Sequence, residues 1–136
     1  MRFPLFAALA LAAAAAAPAA AEQRGDTVQA RGEARLARAL QARTAGTPQN
    51  CIRLNMARSS EVIPGTAIVY RQGSRLWVNR PNGAEALDGD TILVTRTTLN
   101  QLCSIDIVNL VDRTSGIWRG SVGLNQFVPY DRPGRR

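Results

Sequence analysis

Beyond residue 50 the chain sets short β-branched and aromatic runs between turn-forming residues, whereas residues 22–50 hold few large apolar side chains. Closely spaced runs of this kind predict an all-β domain, a small antiparallel sandwich or partly open barrel. The clearest hairpin joins Thr66–Arg71 to Arg75–Asn79 through Gln72-Gly73-Ser74, with Gly73 supplying a positive φ. Ile68 and Tyr70 share one face of the first arm. Leu76 and Val78 share a face of the second, leaving Arg75, Trp77 and Asn79 opposite. Pro81-Asn82-Gly83 and Asp88-Gly89 punctuate the chain before a third strand at Thr91–Thr95.

The strongest strand runs from Cys103 to Asp112, and its strength predicts a central place. Cys103, Ile105, Ile107, Asn109 and Val111 alternate with Ser104, Asp106, Val108, Leu110 and Asp112, so the odd positions read as the buried face. Ile117–Val122 and Gln126–Tyr130 supply weaker closing strands, with Pro129 expected at an edge or end.

Ahead of this domain, residues 22–50 read as a frayed helix or linker: Ala34, Leu36, Ala37 and Leu40 have rough helical spacing, and Gly46-Thr47-Pro48 ends the segment. Residues 1–21 read as a cleavable signal peptide. Arg2 precedes an apolar run to Ala17, and Pro18-Ala19-Ala20-Ala21 puts small residues before a cut at Glu22. That run is too short and alanine-rich to read as a membrane span. The expected order is therefore signal peptide 1–21, linker or weak helix 22–50, β domain 51–130 and basic tail 131–136. Location in the periplasm or outside the cell follows from the leader.

Export changes the reading of Cys51 and Cys103, because an even cysteine count in an oxidising compartment predicts a disulfide. With no His in the chain, two thiols do not complete the usual zinc ligand set, and neither a metal nor a cofactor is expected. All 17 basic residues are Arg, against 10 acids, giving a net charge of +7 that favours anionic partners. An exported chain has little access to nucleic acid.

The ordered segments resemble a family of small exported bacterial domains of unknown function. The likeness is carried by Cys51-Ile52, Trp77-Val78-Asn79, Leu102-Cys103-Ser104-Ile105-Asp106-Ile107 and Gly123-Leu124-Asn125-Gln126-Phe127-Val128-Pro129, and it covers roughly residues 51–130. Family members often carry two further cysteines, where this chain has Ala84 or Glu85 and Val122. Their joint loss implies that they bond each other, leaving Cys51 with Cys103. The resemblance implies no activity.

Without His or Lys the usual serine or cysteine hydrolase relay has no base, and there is no G-x-S-x-G or phosphate-cradling loop. Glu85, Asp88, Asp90, Asp106 and Asp112 are the carboxylates left for acid–base work, and solvated turns explain most of them. The Glu85–Asp90 run lacks the full calcium-loop ligand series. Tyr70, Arg71, Arg75, Trp77 and Arg80 form the candidate binding surface, an aromatic platform rimmed by guanidiniums, unless Trp77 is buried and the arginines are a solvated rim. Trp118 is expected in the core. Asp106 is expected in a structural polar role, facing water, pairing with Arg53 or Arg96, or holding a turn. The composition thus predicts a non-enzymatic domain that binds an anionic envelope lipid or glycan, or an envelope protein, through an Arg-rich surface. A small secreted inhibitor or accessory of an envelope enzyme, presenting a loop such as Pro81–Gly83, is the alternative, and a carboxylate hydrolase the third.

Overall fold

The computed structural model describes residues 19–134, so most of the expected signal peptide and the last two residues of the basic tail lie outside the described residues. One helix and ten strands follow in order: α1 (Ala19–Ala39), β1 (Thr44–Ala45), β2 (Cys51–Arg53), β3 (Ser59–Ile63), β4 (Ala67–Gln72), β5 (Arg75–Asn79), β6 (Thr91–Val94), β7 (Gln101–Cys103), β8 (Ile107–Asp112), β9 (Trp118–Gly123) and β10 (Phe127–Asp131). They form a five-stranded sheet ordered β1-β10-β5-β4-β3, a three-stranded sheet ordered β6-β8-β9, and a β2-β7 ribbon. Every pairing is antiparallel. The fold is thus an all-β sandwich with an N-terminal helix, and its sheets do not close into a barrel.

The β4–β5 hairpin sets the layering. Gly73 at φ 59° turns the chain between Gln72 and Arg75, and the register places Tyr70 opposite Trp77 and Val69 opposite Val78. Both faces are apolar, which explains the nearly continuous run Ala67-Ile68-Val69-Tyr70. Ile68, Tyr70, Trp77 and Phe127 face the smaller sheets, packing on Ile52, Leu102, Val108, Leu110 and Val122. Ala67, Val69, Leu76 and Val78 face the other way, onto Leu36 of α1.

The helix therefore belongs to the domain, and packing begins before the expected boundary at residue 51. Leu36 is buried, and Gly32 lets the helix approach: a Cβ there would come within 2.5 Å of the Pro64 carbonyl. Close backbone approach outweighs the usual helical cost of glycine. The helix ends at Ala39, several residues before Gly46, with Ala42 in the left-handed region.

The expected strand 103–112 is two strands. Ser104, Ile105 and Asp106 turn between β7 and β8, and the Asp106 carboxylate accepts the Cys103 N–H at 2.7 Å. The facing is also the reverse of the expected one. Val108 and Leu110 are buried, while Ile105 is 88% and Ile107 63% exposed. β8 does take the centre of its sheet. Pro129 is not at an edge: β10 lies between β1 and β5, and the Pro129 carbonyl accepts the Gly46 N–H at 2.7 Å.

Cys51 and Cys103 form the disulfide, directly opposite each other in the β2-β7 ribbon with Cα atoms 4.0 Å apart. Asn79 is fully buried and holds the Asn125 backbone from both sides, its Nδ2 donating to the carbonyl and its Oδ1 accepting the N–H. These two junctions, one covalent and one hydrogen-bonded, each join segments distant in sequence.

Candidate functional site

Tyr70 and Trp77 form no exposed platform, being 5% and 4% exposed on the inner face of the five-stranded sheet. Strand alternation puts them inside because the opposite layer covers that face. Tyr70 packs edge-to-face on Phe127, and burial raises its hydroxyl well above the usual phenol range. Trp77 Nε1 donates to Gln72 Oε1 at 2.7 Å, and the Arg75 guanidinium lies 5.3 Å from the indole centre. Trp118, expected in the core, is 63% exposed. Arg80 sits away from the hairpin tip, in a bidentate pair with Glu33 of the helix.

Arg71 and Arg75 belong to a different arrangement, at the turn end of the β4–β5 hairpin. Arg75 makes a bidentate pair with Asp131 of β10, with Nε and Nη2 at 2.8 and 2.7 Å. On the helix side, Arg43 donates to the carbonyls of Ser74 and Tyr130 at 2.6 and 3.3 Å. Thr44 pairs with Asp131, which sets Arg43 beside Arg132.

The electrostatics of this end are one-sided. Partial burial lowers the Arg43 pKa from its ordinary value, the charges of Arg132 and Arg71 lower it further, and Asp131 opposes them. Asp131 is taken by Arg75. Among the described residues Arg43, Arg71 and Arg132 have no ion-pair partner. Arginine keeps its charge at any physiological pH and presents a planar fork of donors suited to phosphate or carboxylate. The cluster gathers residues from the helix exit, β4, β5 and the tail, so neither Arg43 nor Arg132 is marked by any local motif.

The carboxylates are spread over the molecule and mostly engaged. Asp88 and Asp112 both reach Arg119 at 3.3 Å, Asp112 also accepts the Thr114 and Ser115 N–H groups, and Asp106 holds its turn. Glu85 and Asp90 are exposed, and no group of potential metal ligands gathers among the described residues. The Pro81–Gly83 loop does not protrude: Pro81 is buried and Asn82 bridges to Gly123.

The Arg80 hydrogen bond lowers the pKa of Glu33, the Arg75 hydrogen bond lowers that of Asp131, and the Ser115 backbone lowers that of Asp112. A depressed carboxylate stabilises the fold above its unfolded pKa, and that contribution is lost as pH falls through the folded value. The melting temperature is therefore expected to hold steady from neutral pH to the ordinary carboxylate range and to fall below it. Asp131→Asn should shallow the acid limb, as followed by circular dichroism across pH.

Among the described residues no helix is long and apolar enough to cross a membrane. Compared with protein-family models, curated proteins and solved structures, the chain matches none.

Proposed function

We propose that this chain is an exported, non-enzymatic binding domain of the small-exported-domain type its sequence resembles, and that it holds an anionic component of the cell envelope at the Arg43–Arg71–Arg132 end. The observation that carries this reading is the crowding of Arg71 and Arg132 about Arg43 at the Thr44–Asp131 pairing, where the nearby carboxylate, Asp131, is committed to Arg75. Like charges are costly to gather, and an anion bound among them relieves their mutual repulsion. Support for export comes from the leader-like residues 1–21 and the cystine. The periplasm or the cell exterior is the compartment this implies.

Binding to vesicles containing an anionic phospholipid, and to an acidic polysaccharide, tests the reading at low and high salt. Retention at low salt that is lost at high salt is expected, since exposed charge pairs are screened. Arg71 and Arg132 are exposed, so Arg71→Glu with Arg132→Glu should abolish retention while leaving the melting temperature within a few degrees. Retention unchanged by that double reversal would remove this end as the site.

A further inference from the structure

The sandwich is open along one side, where β6 and β3 are the free edges of their sheets. Between them lies a groove of about 530 Å³, walled by Glu61 and Val62 of β3, Thr91–Leu93 of β6, Arg35 and Arg113. That volume lies within the ~300–1,000 Å³ common for ligand sites. We propose that this groove takes an extended peptide segment of a partner protein, added as a strand to β6 with an acidic side chain set against Arg113.

Three observations meet there. First, β6 is Thr91-Ile92-Leu93-Val94, with no charge, proline or bulge, and Ile92 and Val94 are about 40% exposed on its outer face. Sheet edges are ordinarily guarded by such features, and an unguarded edge is a template for strand addition. Second, Thr91 is 3% exposed, lines the groove, and its Oγ1 has no hydrogen-bond partner. A buried hydroxyl left without a partner costs stability, so this wall of the groove is imperfectly satisfied as it stands. Third, the charges lining the groove are unbalanced. Glu61 is engaged by Arg35 at 2.6 Å, and Arg113 makes no ion pair among the described residues. Asp90 gives Arg113 only its carbonyl, which accepts the Arg113 N–H at 2.9 Å.

The excess of arginine selects between occupants. A second copy would bring the same net positive charge to the same edge, whereas an acidic segment is drawn to it. Its residues alternating outward would extend the exposed apolar face of Ile92, Val94 and Trp118.

The test uses the full chain and an end-blocked synthetic peptide of alternating valine and threonine with one central aspartate. Amide exchange followed by NMR should show the Leu93 amide, the one that the β6–β8 register turns outward and that no neighbouring carbonyl takes, slowing by about tenfold when the peptide is added. The same peptide with alternate amides N-methylated should not protect it, and replacing its aspartate with lysine should weaken binding severalfold. Ile92→Lys, at an exposed position, should also abolish protection; if that variant fails to fold, the two control peptides still decide the matter. Equal binding of the N-methylated peptide, or no protection at millimolar peptide, would overturn strand addition. Equal binding of the lysine peptide would overturn the acidic preference. Protection that appears without peptide and rises with protein concentration would assign the edge to a second copy instead. These outcomes are read at β6, so they are independent of anion binding at the Arg43–Arg71–Arg132 end.

Discussion

Replacing either Cys51 or Cys103 with serine is expected to lower the stability of the protein by about 2–4 kcal/mol, and replacing both should cost little more. Each change removes the same bond, so the two losses are not additive. The bridge spans a sequence separation of 52 and ties two strands of three residues each. Opening it releases the conformational freedom of that whole loop in the unfolded chain. It also loosens the wall that carries Ile52 and Leu102 into the inner core. Chemical denaturation of the two single variants, the double variant and the reduced wild type checks this. Four superimposed midpoints below the oxidised protein are expected, and additive losses would contradict the pairing.

Phe127→Ala is the other large effect, with an expected cost of about 3–5 kcal/mol. Phe127 is fully buried, lies 5.9 Å from the Tyr70 ring, and sits opposite Asn79 in the β10–β5 register. Its N–H and C=O both bond to Gln49 at 2.8 Å, so the backbone is held while the side chain fills the inner core. With neighbours fixed on two sides, the cavity left by alanine has little room to collapse. Single domains of this size are stable by only about 5–15 kcal/mol, so thermal unfolding should shift by ten degrees or more. Phe127→Leu keeps most of the volume and should cost under about 1.5 kcal/mol. Calorimetry on both variants separates loss of volume from loss of the aromatic contact, and an alanine variant melting within two degrees of wild type would refute the packing argument.

The two proposed sites, the Arg43–Arg71–Arg132 end and the β6 groove, rest on opposite kinds of chemistry. The first offers fixed positive charge with donor geometry suited to anions. The second offers unpaired backbone along an apolar strand. Neither resembles the aromatic platform expected from Tyr70 and Trp77, because both rings are spent on the core. Arg75 nonetheless joins the two readings, stacking over Trp77 while clamping Asp131.

What the sequence alone determined is local. The β4–β5 hairpin, its glycine turn and its facing residues were legible because turn chemistry and a period of two act over a few residues. The disulfide was legible because only two cysteines exist, and the all-β class because β-branched runs recur at close spacing. Tertiary structure decided the rest. The Cys103–Asp112 pattern has apolar residues at both odd and even positions, so its buried side depends on which face another sheet covers. The Asp106 turn then resets the alternation between β7 and β8. Leu36 alone among weak helical signals could not reveal that α1 docks, since docking depends on Gly32 fitting against Pro64 and on an apolar outer face of β4 and β5. The basic end was hidden for the same reason: Arg43, Arg71 and Arg132 become neighbours only through strand pairings between residues far apart in the chain, and no periodicity along a chain encodes a register across it.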